Sequence, residues 1–280
     1  MSPLNELRSV LLEKQAELTK SERRIAEWLE RRFEQLAFLT VSEIGRATGV
    51  SEATIVRFAR KIGFASFTDL QRSVQAAVQE HYSVGNRLEA LDKNAGPLER
   101  AYRRDLENLR TTYEHVDPRA FDAAVKAIAR APTVAVIGLR ASAGAALYVA
   151  FALNLIRPRV LHIRPDIDNV HDQLLDMGPG DVLIAFSVAR PALRTLQVAQ
   201  EAKQRYGATV VAFTSSAMSA LAQRADHVLT VGAEGTFNSY AATFSLAGAL
   251  LDAVAETLRD AATARLKRLD AFNSQDVYGD

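Results

Sequence analysis

Apolar residues in the first 80 positions recur at the spacing of amphipathic helices. They fall at Ile25, Trp28, Leu29, Phe33 and Leu36, an i, i+3, i+4 progression that places them on one face of a long helix. Shorter helical patterns follow. Residues 1–80 are therefore predicted to form an all-α domain.

The helical pattern weakens between the two halves of the chain. The segment SVGNRLEALDKNAGP, residues 83–97, carries two glycines and a proline and has no strong periodicity. A helical pattern resumes from Leu98 to about His115. Residues 81–118 are therefore predicted to be a linker and a connecting helix.

Beyond Pro132 the pattern changes to short apolar runs rich in β-branched residues. Five runs fit strands: TVAVIG, RVLHI, DVLIAFS, ATVVAFT and HVLTV. Helical stretches separate or follow them, at 141–156, 168–177, 191–206, 217–225 and about 236–258. Continuous apolar strands that alternate with helices predict an α/β domain over residues 119–270. Its expected core is a doubly wound, mainly five-stranded parallel sheet with helices on both faces.

Composition narrows the class of protein. Of 280 residues, 48% are hydrophobic and 24% charged, and the net charge is +1, which is typical of a globular chain with one large or two ordinary domains. The absence of cysteine excludes disulfides, Cys-ligated zinc and Cys nucleophiles, and it is compatible with a cytoplasmic protein. With no Walker loop, no zinc-type His spacing and no Ser-His-Asp layout, neither a cofactor nor a metal is predicted.

A strongly apolar, uncharged run, ASAGAALYVAFALNLI, extends from Ala141 to Ile156. Its sixteen residues fall short of the ~20 that a helix needs to span a bilayer. The charged N-terminal segment has no apolar region of the signal-peptide kind. We therefore expect a helix buried inside a soluble domain and no membrane partner.

Two short helices joined by a glycine turn are predicted between residues 41 and 62. Val41–Thr48 forms the first, Gly49 gives the turn, and Ser51 is a good N-cap for the second helix, Glu52–Ile62. This layout is that of a helix-turn-helix, in which residues near the start of the second helix meet base edges in the major groove of DNA.

The candidate DNA contacts cluster around that second helix. Five Arg or Lys residues against two acids between positions 44 and 72 give a local positive surplus that suits a polyanion. The predicted base-facing residues are Ser51, Glu52, Ala53, Thr54 and Arg57, and the predicted phosphate contacts are Arg46, Arg60 and Lys61. A helical hairpin with a solvated charged face is the alternative.

The string VSEATIVRFARKIGFASFTDLQ resembles the helix-turn-helix of the RpiR family of bacterial transcription regulators, and LTKSERRIAEWL is similar to that family's first long helix. The resemblance covers roughly residues 4–80. It implies that double-stranded operator DNA is a partner and that the residues from Ser51 to Arg57 lie on the DNA-reading helix. Phe58, Phe64 and Phe67 are expected in the core.

The RpiR family joins this domain to a SIS domain, a doubly wound sheet whose loops hold phosphosugars, and the pattern from Thr133 to about Leu258 resembles it. Independently, ligands of open α/β sheets bind at the carboxyl ends of the strands, where hydroxyls and helix N-termini collect. The candidate ligand-binding residues are Gly138, Arg140, Ser142, Ser187, Arg190, Thr195, Thr214 and Ser215. An alternative interpretation is that some positions only cap helices and bind no ligand, namely Ser142, Pro191 and Ser215.

Two loops depart from the SIS pattern. Where many SIS domains carry Gly-x-Gly-x-Ser and Ser-x-Ser-Gly-x-Thr, this chain has GLRAS and SVARPALRT, so a glycine and a serine give way to arginines. A small anionic effector is predicted. A sugar phosphate or other carbohydrate derivative, a metabolite with another anionic group such as a carboxylate, and a purely structural hydroxyl set all remain open.

The sequence favours a sensor over an enzyme. An aldose–ketose isomerase needs a positioned base, and only His171 and Glu234 are candidates. With a DNA-reading domain attached, a transcription regulator that is not an enzyme is the more economical prediction. A phosphosugar isomerase with an accessory helical domain is the alternative, and a protein that only binds partners is a third reading. A homodimer or homotetramer is expected, with apolar helices 141–156 and 236–258 offering faces for the interface.

Overall fold

Two units make up the chain, Met1–Leu91 and Asp92–Asp280. The computed structural model describes residues 14, 17–81, 84–89, 91, 95–164, 169–188 and 191–276. No single helix within these ranges is long and apolar enough to cross a bilayer. The helices Ala241–Thr257 and Arg259–Ala271 meet that criterion only as a pair, and they are bent by 103°.

All of the secondary-structure elements described in the first unit are helices, as the sequence predicts. Its helices are α1 (Lys20–Leu36), α2 (Val41–Thr48), α3 (Glu52–Lys61), α4 (Phe67–His81) and α5 (Val84–Glu89). Thr19 begins α1 with reciprocal bonds, because its hydroxyl accepts from the Glu22 N–H and its N–H donates to the Glu22 carboxylate. Phe58 lies at the centre of the core and is fully buried.

The second unit alternates helices and strands. Before the sheet come α6 (Pro97–His115), close to the predicted connecting helix, and α7 (Pro118–Arg130). The remaining elements are β1 (Val134–Gly138), a 3₁₀ turn (Arg140–Ser142), α8 (Ala143–Ile156), β2 (Val160–His162), α9 (Val170–Gln173), β3 (Val182–Ser187), α10 (Leu193–Gln204), β4 (Thr209–Thr214), a 3₁₀ turn (Ala222–Arg224), β5 (His227–Thr230), α11 (Ala241–Thr257) and α12 (Arg259–Asp276).

The five strands form one parallel sheet in the order β2-β1-β3-β4-β5, which confirms the predicted fold. Side chains alternate between the two faces of the sheet. Val134 and Val136 join the core cluster formed with α7, α8 and α11, while α10 packs on β3 and β4. Helices therefore cover both faces.

Three predicted helices differ from the structure. For the predicted helix 168–177, the described residues 169–177 contain only one helical turn, Val170–Gln173, and the Gln173 amide bonds to the backbone of Arg164. In 217–225 only a 3₁₀ turn forms, because Ser216 and Ser219 accept bonds from nearby backbone N–H groups and so compete with a helix. The predicted helix 236–258 begins later, at Ala241.

Helix α8 is buried, as predicted, on one side only. One face packs into the core, but Leu147 and Phe151 are 57% and 63% exposed, and Tyr148 is also exposed. The Tyr148 ring meets Phe244 of α11 edge to face, with centroids 5.4 Å apart. Because apolar residues occur all around this helix, its sequence pattern does not show which face packs into the core and which face is exposed.

Arg157, directly after α8, ties two helix ends together. Its buried guanidinium donates to the carbonyls of Ile128, Ala131 and Pro132, which satisfies acceptors left free where α7 ends. Burial lowers the pKa of Arg157, against the opposing effect of Asp181.

Candidate functional site

The turn between α2 and α3 has the geometry that a helix-turn-helix requires. Gly49 adopts a left-handed φ of 63° and caps α2 through its N–H. At Gly45 a Cβ would lie 2.9 Å from the Val50 carbonyl oxygen, so only glycine allows this close approach. Val50, which follows the turn, is partly buried and packs against the core of this unit.

The start of α3 presents a chain of hydroxyl contacts. Ser51 is the N-cap, as predicted, and its Oγ accepts from the Thr54 N–H. The Ser51 and Thr54 hydroxyls lie 2.9 Å apart, and the Arg57 guanidinium donates to Thr54 Oγ1 at 3.2 Å. Ser51 and Arg57 are exposed within the unit, and Thr54 is partly exposed. This first turn is thus a polar edge aligned by its own contacts.

The other predicted DNA contacts divide into two groups. Glu52, Ala53, Arg46 and Arg60 are exposed. Lys61, in contrast, donates from Nζ to Glu22 Oε2 at 2.8 Å and to the Glu17 carbonyl at 2.7 Å.

The Lys61 contact also affects Glu22. Burial raises the pKa of this carboxyl, but hydrogen bonds from Lys61 and Thr19 outweigh burial and the net pKa is lowered. Lys61 is therefore a structural cation of this unit, which the sequence pattern did not indicate.

In the second unit the sheet order reverses between β1 and β3. β2 lies on one side of β1, and the chain then crosses to β3 on the other side. The loops that leave such neighbouring strands diverge and open a crevice at the carboxyl edge. The predicted hydroxyls at the ends of β1 and β3 flank this point.

The loop after β1 combines close packing with backbone strain. A Cβ on Gly138 would lie 2.5 Å from the Ser142 carbonyl oxygen and 3.1 Å from Phe186 Cβ, so Gly138 is needed for packing. Arg140 has a left-handed φ of 57° and an exposed side chain. It takes the conformation that glycine tolerates most readily, at the position where the SIS pattern has glycine.

Ser142 joins three segments of the second unit. Its Oγ lies 2.9 Å from the Tyr240 hydroxyl and accepts from the Val188 N–H at 3.4 Å. Although Ser142 precedes α8 directly, its side chain makes no capping bond. The buried hydroxyl thus connects the loops after β1 and β3 with the start of α11, and burial raises the pKa of Tyr240.

Two predicted hydroxyls near the crevice are buried without partners. Within the described ranges, Ser187 Oγ and Thr195 Oγ1 make no hydrogen bond. Ser187 ends β3, and Thr195 lies in the first turn of α10, whose N-cap Ala192 offers no side-chain cap. Buried polar groups are normally satisfied, so orphaned hydroxyls beside an uncapped helix N-terminus are what an anion site provides.

The remaining predicted ligand residues are less engaged. Thr214 is buried, but its hydroxyl donates to Ser219 Oγ at 2.8 Å. Ser215 is exposed and no α-helix follows it to be capped. Pro191 is not a cap either, because the N-cap of α10 is Ala192. Arg190 lies outside the described residues.

The two candidate bases have other surroundings. His171 Nδ1 lies 3.6 Å from Glu201 Oε2. Glu201 belongs to the third turn of α10, about 12 Å along the helix axis from Leu193. The Glu234 side chain is exposed, while its backbone N–H and carbonyl bond to Asn108. In the described parts of the chain, no group of three or more His, Asp or Glu side chains is arranged to hold a metal ion.

Sequence reasoning missed Tyr240 and Asn108. Tyr240 lies 98 positions from Ser142, and Asn108 lies 126 positions from Glu234. Neither belongs to a local motif. The one signal in the sequence was that Asn108 is a polar residue within an amphipathic helix.

Family models match both units. The helix-turn-helix domain of the rpiR family matches residues 5–81, and the SIS domain matches residues 127–253. The sugar isomerase domain of an RpiR transcription factor from Sphaerobacter thermophilus is 30% identical, with a TM-score of 0.59. The match covers 62% of this chain and 98% of that one.

A full-length likeness also exists. The NanR protein of Vibrio vulnificus, solved in complex with ManNAc-6P, matches 99% of this chain and 100% of its own length. The identity is 18% and the TM-score 0.67, which shows a shared fold.

Proposed function

The chain belongs to the RpiR family of transcription regulators, and on that premise we propose that α3 reads operator DNA while an anion site at the crevice of the SIS domain senses a small metabolite. The family assignment makes the protein a DNA-binding regulator with a sensing domain. The observation that carries the sensing role is the pair of orphaned buried hydroxyls, Ser187 and Thr195, at the uncapped start of α10.

For DNA, we assign base contacts to the first turn of α3 and phosphate contacts to the exposed arginines. Ser51, Glu52, Ala53 and Arg57 are accessible within the unit, and recognition helices meet base edges with such N-terminal residues. Arg46 and Arg60 are exposed cations suited to phosphate. Since Lys61 is held by Glu22, it contributes to the stability of the unit instead. Such a regulator works in the cytoplasm, where its operator is.

The effector class follows from the hydroxyl set and Arg140. Hydroxyls and free backbone N–H groups at helix N-termini suit a phosphate or a carboxylate. NanR of Vibrio vulnificus binds ManNAc-6P on the same fold, which supports a sugar phosphate here. The exposed guanidinium of Arg140 adds a cation beside the β1 loop for a second anionic group.

We propose that the exposed aromatic face of α8 and α11 is the interface of an oligomer. Leu147, Tyr148, Phe151 and Phe244 form a large exposed apolar group, and a second copy of the chain is the proposed occupant. Stable interfaces bury about 800 Å² per partner. Multi-angle light scattering of the full chain tests this, with a dimer or tetramer expected for the wild type and a monomer for Phe151→Asp. Thr263→Asp, at an exposed position of α12, should leave the wild-type state unchanged.

The regulatory mechanism is a population shift. A ligand that binds one arrangement of the paired SIS domains more tightly favours that arrangement. The spacing of the two recognition helices then changes relative to half-sites about one helical turn (~34 Å) apart. The sign of the response, repression or activation, follows from which arrangement fits the operator.

The role proposed for the SIS domain is binding without turnover. His171 Nδ1 lies 3.6 Å from Glu201 Oε2, and the Glu234 side chain is exposed. Incubating the purified chain with hexose phosphates and assaying for isomerised product tests this, with no product expected. Product formation that is lost in His171→Gln or Glu234→Gln would support the isomerase alternative.

A thermal-shift screen of the full chain tests the sensing role. The panel consists of sugar phosphates, including ManNAc-6P, together with sugar acids and inositols. A ligand that binds the folded state at 100 times its Kd stabilises it by about 2.7 kcal/mol. We expect stabilisation by an anionic member, reduced by Ser187→Ala. Equal stabilisation of that variant, or a response to neutral inositols alone, would contradict the anion site.

A further inference from the structure

Helix α6 is held to the segment after β5 by a ladder of polar contacts, which are partly buried at Asn108 and Thr112 and exposed at the helix end. The Asn108 amide, 2% exposed, donates to the Glu234 carbonyl and accepts from the Glu234 N–H, both at 3.0 Å. One turn along the helix, Thr112 Oγ1 accepts from the Gly232 N–H at 2.8 Å and donates to the Asn108 carbonyl at 2.7 Å. Near the helix end, the Thr230 hydroxyl donates to the His115 carbonyl.

These contacts fix the register of the helix. The helix rises by about 10 Å from position 108 to position 115. The facing chain runs in the opposite direction, and its extended length from position 234 to position 230 is about 13 Å. The two lengths nearly match, so the side chains pair in order. A Cβ on Gly232 would lie 2.7 Å from the Asn108 carbonyl oxygen, so glycine is required for this contact. A shift by one residue would leave buried polar groups unpaired.

The same segment leads to the crevice. From Glu234 the chain passes Gly235, where the Arg104 side chain covers the backbone and φ is 148°, and reaches Tyr240 six residues later. Tyr240 is the N-cap of α11, and its hydroxyl lies 2.9 Å from Ser142 Oγ. The segment 232–240 is therefore fixed at one end by Asn108 and at the other by Ser142.

We propose that Asn108 is a positioning residue that couples the state of the Ser142 site to helix α6 through the segment 232–240. An anion that takes the Ser142 hydroxyl competes with Tyr240 for it. Tyr240 then releases the N-terminal end of α11, and the segment passes the change to the Asn108 and Thr112 contacts. α6 is the first long helix after the DNA-binding unit in the chain. This inference rests on the anion site proposed above for the crevice, and it adds the Ser142 hydroxyl to that site.

Hydrogen exchange of two amides measures the coupling directly. The N–H groups of Gly232 and Glu234 donate to Thr112 and Asn108, so their protection reports the ladder. In the full chain, Tyr240→Phe removes only the hydroxyl that meets Ser142. We expect exchange of both amides to accelerate about tenfold, the effect of losing one hydrogen bond from a coupled unit. Tyr206→Phe, in the same unit two residues after the end of α10, should leave both amides unchanged.

The reciprocal experiment starts from the ladder. Asn108→Asp keeps the acceptor for the Glu234 N–H and loses the donor to its carbonyl. Because coupling is reciprocal, the Val188 amide, which donates to Ser142 Oγ, should exchange faster in this variant. An Asn108 that served packing alone would leave Val188 unaffected and would leave Gly232 and Glu234 protected in Tyr240→Phe. Either result overturns the proposal.

These measurements require neither DNA nor effector. A chain that bound no anion would fail the thermal-shift screen and still give an interpretable exchange result. Failure of the sensing role and failure of the coupling are therefore distinguishable.

Discussion

Lys61 Nζ lies 2.8 Å from Glu22 Oε2, so a cation expected to face DNA connects α3 to α1 instead. The same ammonium reaches the Glu17 carbonyl, and the Glu22 carboxylate also accepts from the Thr19 N–H. The contact fixes the recognition helix to the scaffold of its own unit. It separates the basic residues of α3 into one that orients the helix and others that are free for the polyanion.

The Glu22 contact predicts an acid-sensitive DNA-binding unit. Because the folded pKa of Glu22 is below the ordinary value of 4.5, its contribution is fully present above pH 4.5 and is lost as pH falls through the folded pKa. Glu22→Gln should lower stability at neutral pH by about 1 kcal/mol and flatten the acid limb. Trp28, the sole tryptophan, is buried in this unit, so urea titrations followed by its fluorescence report the unit alone. An unchanged acid limb in Glu22→Gln would contradict the assignment.

Arg57 and Lys61 should respond differently to the same truncation. Arg57→Ala should weaken binding to a promoter fragment and relax its sequence preference by about 1–3 kcal/mol. Arg60→Ala should reduce the slope of log K against log salt by about 1. Lys61→Ala should lower the urea midpoint of Trp28 fluorescence and change the salt slope little. Equal salt slopes in all three variants would contradict the groove assignment.

Replacement of the strained Arg140 should separate stability from sensing. The left-handed conformation lowers stability by about 1–2 kcal/mol for a residue other than glycine. A glycine avoids this steric cost but loses more conformational entropy on folding, which offsets part of the gain. Arg140→Gly should therefore raise stability by up to about 1 kcal/mol while weakening the ligand-dependent thermal shift. Arg159, with a φ of 56° outside the crevice, is a matched control. Arg159→Gly should stabilise similarly and leave the ligand response intact.

Two fully or nearly fully buried threonines should show opposite responses to valine. Thr195 has an orphaned hydroxyl, so Thr195→Val should stabilise the ligand-free protein by about 1 kcal/mol and abolish stabilisation by the anionic effector. The Thr112 hydroxyl has two partners, and Thr112→Val should destabilise by about 1–3 kcal/mol. Thermal unfolding of both variants, with and without effector, checks the contrast. Destabilisation in both would remove the argument that Thr195 awaits a ligand.

Local chemistry explains what the sequence predicted well. Gly49, Ser51 and the buried face of α3 follow from turn, capping and periodicity rules that act within a few residues. The five strands were evident because a sheet covered on both faces needs continuous apolar runs. Ser187 and Thr195 were found because strand ends and helix starts define the carboxyl edge of such a sheet.

Contacts between distant positions explain what the sequence did not reveal. No local rule links Ser142 to Tyr240, and none reveals that Glu22 engages Lys61. The sequence does not show which face of α8 is exposed, because Leu147 and Phe151 are as apolar as the residues of its buried face. The polar role of Asn108 depends on a backbone segment more than a hundred positions away.

The contact between Ser142 and Tyr240 can form only after both residues have been synthesised. The segment from Thr19 to Phe67, which builds the recognition helix and its core, leaves the ribosome more than 170 residues before Tyr240 does. A nascent chain therefore completes its DNA-reading unit long before its metabolite crevice has all its walls, since domains fold from the N-terminus as they are made. During translation, then, the part that reads the gene precedes the part that answers to metabolism.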